Sequence, residues 1–225
     1  MATLNASKWG RLGRLAQTSH SAARDGTTAT SIASNPSYST IGIEYKKAAG
    51  RGSTTYSIYR SYFYFDTSSI TSTVSSASIV ITGWTYTSGD IIVIPSTAFA
   101  GDGSSNLVSS DYDNISYNAN YGDEVVSWST GSNSVTLKST ALSDIQNNNY
   151  FICAIINYDH DYLNNEPGSS ITYSNGINFA STAYLDYTAA SGPAGVDEVI
   201  GISSANISTI YGTSYSGIDK IYEVT

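Results

Sequence analysis

The densest set of side chains able to do chemistry is the run Asn157-Tyr-Asp159-His160-Asp161-Tyr-Leu-Asn164-Asn165-Glu166. Asp and Asn oxygens at alternating positions suit calcium, a hard cation that gathers about six to eight oxygens. Asp159, Asp161 and Asn164 are therefore the candidate ligands, and calcium is the one cofactor the sequence suggests. The run departs from an EF-hand loop, which needs a Gly at its sixth position and a Glu at its twelfth. Asx residues also build turns by bonding their own backbone, which predicts a structured turn without an ion. Asp111-Tyr-Asp113-Asn114 forms a second, weaker cluster of the same kind.

His160, flanked by two aspartates, has the makings of a catalytic set, but triads are spatial and adjacency in sequence says little. The chain has no Gly-x-Ser-x-Gly elbow, no His-Glu-x-x-His and no Gly-Lys-[Ser/Thr] phosphate loop. The expectation is that the protein is not an enzyme. Aromatic side chains offer binding chemistry instead. Trp84 and Tyr86 lie at i, i+2 on one face, and Trp128 ends another apolar stretch. Exposed, these three would stack on sugar rings as a glycan platform; turned inward, they would be core residues.

What must position these residues is a β scaffold. The chain has 225 residues, of which 12% are charged, with 19 Tyr against one Met and one Cys. Ser and Thr together number 63, so polarity comes from hydroxyls rather than ions. That composition opposes a charge-laced helical bundle and a disordered polyelectrolyte. A single Cys excludes an internal disulfide, and with two His a clustered zinc site is out of reach. β-Branched and aromatic residues suit a pleated, half-buried surface.

Alternation predicts a long strand over 56–66, with Tyr59, Phe63 and Phe65 on one face and Arg60, Tyr62 and Tyr64 on the other. A second strand should turn Ala77, Ile79 and Ile81 inward. Further strands are expected at 90–94, 125–128, 134–138 and 183–187, and a short helix at 141–146. The apolar run 150–156 reads as a buried strand in which Cys153 is a core residue. The whole reads as all-β: a jelly-roll-like antiparallel β-sandwich over 41–190, an extended arm over 1–40, and a linker and β-repeat tail over 191–225. In that tail Gly201 aligns with Gly212, Ser203 with Ser214, Ile207 with Ile218 and Ile210 with Ile221, a repeat of eleven residues. Gly, Ser and Thr are too frequent there for a stable helix, so short strands joined by tight turns are expected.

Charge is segregated. Residues 1–60 carry a net +6 and residues 61–225 a net −14. An acidic body should repel nucleic acid. Lys8, Arg11 and Arg14 would anchor the arm on an acidic neighbour, while Ile207, Ile210, Ile218 and Ile221 would seat the tail on a partner surface. The N-terminus lacks the apolar core of a signal peptide, and no segment approaches a membrane span.

Arg60-Ser-Tyr-Phe-Tyr-Phe-Asp66 followed by Val74-Ser-Ser-Ala77-Ser-Ile79-Val-Ile81 resembles the pattern of DNRLRE-type jelly-roll modules, which are related to carbohydrate-binding modules. Phe65, Asp66 and Ala77 carry the match, which spans about 40–190, and the closing Ala183-Tyr-Leu-Asp-Tyr187 lacks that family's usual proline. The tail Gly-Ile-Ser-Ser-Ala-Asn-Ile-Ser resembles the short Ile/Gly repeats that close many bacteriophage virion proteins. These resemblances imply a non-enzymatic viral structural protein, a capsid decoration or a tail or fibre component, made in the host cytoplasm and located in the virion. Its partners would be further copies of itself and other virion proteins. The alternative is a carbohydrate-binding module or receptor-binding protein that recognises glycans.

Overall fold

The computed structural model describes residues 2–34, 40–50, 53–86, 89–168 and 172–190, together with four two-residue strands in the tail. In chain order the main elements are β1 (Ala2–Asn5), β2 (Lys8–Gln17), α1 (His20–Arg24), β3 (Ser31–Ser34), β4 (Thr40–Ala49), β5 (Thr54–Asp66) and β6 (Val74–Tyr86). They continue with β7 (Ile91–Pro95), β8 (Gly131–Thr136), α2 (Ser139–Asn147), β9 (Tyr150–Asn157) and β10 (Tyr173–Ala189). Every strand pairing is antiparallel. The protein is an all-β antiparallel sandwich. Among the described residues no helix is long and apolar enough to cross a membrane.

The architecture turns on β5. One edge of this strand pairs with β2 along its length, while the other edge changes partner midway. Residues 54–59 pair with β4, and residues 61–66 pair with β9. Arg60 sits at the changeover. Over residues 44–47 β4 pairs with β5 on one edge and with β10 on the other, and its residues 40–43 continue along β10 alone, which joins the first sheet to the second sheet of β1, β10, β6 and β8. The first sheet continues as β3-β2-β5-β9-β7. At 6–7 the chain crosses between sheets, with the Ala6 amide donating to Ala183 of β10 and the Ser7 amide to Tyr64 of β5. On the opposite side 121–125 bridges β7 to the residues after β8, through Tyr121 N–H to Val93, Val125 N–H to Ile91 and Lys138 N–H to Tyr121. Pairing or covering these edges removes open ladders that would otherwise template aggregation.

Alternation along the strands builds three apolar layers. Phe63 and Phe65 of β5 meet Ala77, Ile79 and Ile81 of β6 and Phe179 and Leu185 of β10 between the sheets. Cys153 belongs to that layer and is fully buried. The outer face of β5 and β9 is covered by the 96–117 segment, with Tyr62, Ile152, Ala154 and Ile156 packed under Phe99, Leu107 and Tyr112. A smaller layer places Ala23 of α1 on Tyr45, Tyr56 and Ile58. The long strand, its facial division and the inward set on β6 thus follow the period-two reading.

Three expectations are corrected. Residues 1–40 do not form a free arm: β1 pairs with β10, β2 is an interior strand between β3 and β5, and Leu12 is fully buried. Gly10 and Gly13 permit this, because a Cβ at either would meet a neighbour at 2.6 Å (Leu107) or 2.5 Å (the Tyr59 ring). The sandwich therefore starts at Ala2 rather than at residue 41. Second, 125–128 is not a strand; Val125 makes an isolated bridge to Ile91 and the rest is loop. Third, the closing strand is far longer than 183–187, running Tyr173–Ala189 along β4, β1 and β6.

In the tail, β11 (Glu198–Val199) pairs with β12 (Ile202–Ser203), and β13 (Thr209–Ile210) with β14 (Thr213–Ser214). Each strand of the second pair lies eleven residues after its counterpart in the first, so strand spacing and sequence repeat coincide.

Candidate functional site

The polar run after β9 folds into a turn held by its own backbone and capping bonds. Its backbone forms a single π-helical turn, Tyr158–Tyr162, closed by a bond from Leu163 N–H to the Tyr158 carbonyl at 2.9 Å. Asn157 caps the turn by accepting the His160 N–H at 2.8 Å, the local bonding expected of Asx residues. The wide turn brings Asp161 back under the sheet to Arg60, and both side chains are fully buried.

This pair is the most concentrated electrostatic feature of the sandwich. Arg60 Nε donates to Asp161 Oδ2 at 2.8 Å and its Nη2 to Oδ1 at 2.8 Å, a bidentate fork. Nη1 donates to the Tyr112 carbonyl at 2.7 Å, and the other Nη2–H is shared between the Arg24 carbonyl at 2.7 Å and the Tyr117 hydroxyl at 2.5 Å. Tyr117 in turn donates to Asp161 at 2.9 Å. The Tyr112 ring lies 4.0 Å from the guanidinium centre, and Arg24 stacks on Tyr117 at the same distance. Burial is the largest single influence and works against the Arg60 charge, but Asp161, Tyr112 and Tyr117 together outweigh it and raise the guanidinium above its ordinary pKa. Tyr117 is raised as well, first by burial and then by the Asp161 charge. One node therefore ties β5, the end of α1, the 109–117 segment and the turn after β9 at the point where β5 changes partner.

Beside it lies a box of rings. His160 sits 4.5 Å from Tyr45 and 5.0 Å from Tyr173, and His20 sits 5.5 Å from Tyr45. His20 Nε2 bonds Asn164 at 3.0 Å, and burial lowers its pKa against the opposing pull of that bond. His160 Nδ1 bonds the Asn165 carbonyl at 2.7 Å, while its Nε2 is buried without a partner. Lys47, also buried, donates to the carbonyls of Pro167 and Gly168 at 2.8 and 3.0 Å. The 158–168 segment is thus clamped to the outer face of β4 and β5 from several sides.

The calcium candidates are separated by these commitments. Asp161 is spent on Arg60 and Tyr117, Asn164 serves His20, and Asp159 faces Asp90, whose pKa is raised by burial and then by the Asp159 charge. Among the described residues no group of three or more His, Cys, Asp or Glu is placed to hold a metal ion. The glycan platform also divides. Trp128 is a core residue stacked on Phe179 at 6.3 Å, whereas Trp84, in a β-bulge of β6, is 54% exposed. Tyr86 ends β6, and its side chain lies outside the described residues.

The interface candidates fare similarly. Lys8 donates to the carbonyls of Gly103 and Ser105, Arg11 stacks on Tyr59 at 4.3 Å, and Arg14 bonds the Ala22 and Thr28 carbonyls. All three cations fasten the chain to itself rather than reaching out as an arm. Ile210 lies in β13, while Ile207, Ile218 and Ile221 fall outside the described residues.

The residue that sequence reasoning passed over as a site is Arg60. Its signal was present: one cation inside an aromatic strand, on the face shared with Tyr62, must be paired if the strand is buried on both sides. As chemistry, the node is saturated. Both charges are matched, every hydroxyl in it is engaged, and the arrangement locks loops onto a sheet. No family model matches the chain, and no curated protein matches it significantly.

Proposed function

We propose that this chain is a non-enzymatic structural protein of a virus particle, a capsid decoration or a tail or fibre component. The observation that carries the reading is the tail, where strand pairs recur at the eleven-residue period of the sequence repeat. A two-stranded pair is marginal alone, and repeats of this kind gain stability by stacking on neighbours or a partner surface. The sandwich supports the same reading. Its strongest charges neutralise each other internally, and a surface rich in hydroxyls with 12% charged residues overall is cheap to desolvate against other proteins. The resemblance of the tail to the Ile/Gly repeats of virion proteins points to the particle as the assembly.

The test is quantitative peptide mass spectrometry on density-purified particles from a culture whose genome encodes this sequence. The expected result is a constant copy number relative to the major capsid protein. Absence from the particles, with the protein abundant in the cleared lysate, overturns the proposal.

A further inference from the structure

We propose that the outer edge of β8 seats the C-terminal tail of a second copy, so that neighbouring chains join by strand addition. The proposal rests on the assembly reading above and names the surface that takes up the tail.

β8 is the last strand of its sheet and pairs with β6 from Gly131 to Thr136 with no break in register. Backbone groups alternate in direction along such a strand. Leu137 N–H donates to Ala77 at 2.9 Å, on the β6 side, and Lys138 N–H turns the opposite way to Tyr121 at 2.7 Å. By the same alternation the amides of Val135 and Asn133 face β6, while those of Thr136, Ser134 and Ser132 face outward. Among the described residues these three outward amides meet no acceptor, and their side chains are exposed. The 121–125 crossing covers β8 where it ends, at Leu137 and Lys138, and leaves the rest of the edge open. Proteins ordinarily blunt such an edge with lysine, proline or a bulge. β8 has none of these, and residues 126–137 carry no charge.

The occupant follows from the tail. Residues 199–218 contain no Asp, Glu, Lys or Arg, so a tail strand meets the β8 edge with no ion to desolvate. Within one copy β11 pairs with β12 and β13 with β14 as separate two-stranded sheets, and neither sheet includes β8. The single chain therefore leaves both donor strands and acceptor edge open. Added to β8, a marginal strand pair becomes part of a wide sheet with a buried face. Residues 191–197, between β10 and β11, span at most roughly 23–25 Å when extended, enough to cross a contact to a neighbour's edge. Edge on one copy and tail on the next make a heterologous contact, which gives a ring when the rotation closes.

The experiment is sedimentation velocity on four full-length chains: the parent, Ser134→Pro, Ser132→Pro, and a tail variant carrying Ser203→Pro and Ser214→Pro. Proline at 132 or 134 removes an outward amide and no bond to β6, so the melting temperature should stay near the parent's; two positions keep the test decisive if one of them loosens the strand. The parent should form a multimer. The edge and tail variants should each need at least roughly tenfold more protein to assemble. Mixed together, Ser134→Pro and the tail variant should form a one-to-one heterodimer, one supplying the tail and the other the edge. Assembly untouched by the edge prolines but abolished by the tail prolines overturns the proposal while the assembly reading stands. Assembly lost only with the edge prolines overturns it in favour of β8 pairing with β8, and a mixture that stays monomeric overturns it as well. A monomeric parent takes down both the proposal and the assembly reading.

Discussion

Replacing Asp161 by Asn should unmask how strongly the arginine node braces the sandwich. The substitution keeps the shape but leaves the fully buried Arg60 guanidinium without its counter-charge. Breaking one side of a buried pair costs about 3–5 kcal/mol, because the remaining charge stays desolvated. Arg60→Met should cost a similar amount by stranding Asp161 and the Arg24 carbonyl. For a chain of this length, that corresponds to a fall of roughly 6–20 °C in melting temperature. The double variant is the informative one. With both charges gone no desolvated ion remains, and the Tyr112 carbonyl keeps its bond from the Tyr62 hydroxyl at 2.8 Å. The double variant should therefore cost no more than either single, about 3–5 kcal/mol rather than the roughly 6–10 kcal/mol expected of independent sites. Tyr117→Phe, which removes one hydrogen bond to the carboxylate, gives a graded control at about 1.5–3 kcal/mol. Urea titrations at pH 7 with linear extrapolation measure all four. Single variants within about 1 kcal/mol of the parent, or a double equal to the sum of the singles, would refute the reasoning.

Stability should also fall on acidification from pH 7 to pH 5. Burial lowers the His20 pKa, so the folded protein holds this ring neutral while the unfolded chain takes up a proton near the ordinary value of 6.5. Its contribution is complete above that value, is lost as pH falls through it, and levels off below the folded pKa; His20→Gln should flatten that part of the urea-midpoint profile. Trp128→Ala should cost about 3–5 kcal/mol, since the indole fills the layer against Phe179. Trp84→Ala, at a half-exposed bulge, should stay within about 0.5 kcal/mol in the same titration. Millimolar calcium added to chelator-treated protein should leave the melting temperature unchanged, because Asp161 is committed to Arg60; a rise that disappears in Asp159→Asn would contradict this.

The parts of the fold legible in the sequence are those governed by local periodicity. Phe63 and Phe65 opposite Tyr62 and Tyr64, the inward Ala77, Ile79 and Ile81, the apolar β9 and helix α2 all follow from spacing within one element. What escaped depends on contacts distant in sequence. Trp9, Leu12 and Leu15 fall at a spacing of three and resemble a helical turn, yet β2 pairs with β5 some fifty residues away, and two glycines let it lie flush. The first 34 residues are basic because Lys8, Arg11 and Arg14 satisfy carbonyls and a ring within the fold, so their charge was no mark of an arm. The oxygen-rich run after β9 carried the right elements for calcium, but their use was decided by Arg60, about a hundred residues upstream. The tail was legible because its repeat and its strand pairs share one short period.

Sedimentation velocity on the full chain and on a chain ending at residue 190 tests the assembly claim most directly. The shortened chain retains every strand of the sandwich, β1 to β10, and should sediment as a folded monomer. The full chain should form a discrete multimer that grows with concentration, with the tail as the element responsible. A full chain that remains monomeric at high concentration, or two chains that assemble equally, would contradict the account.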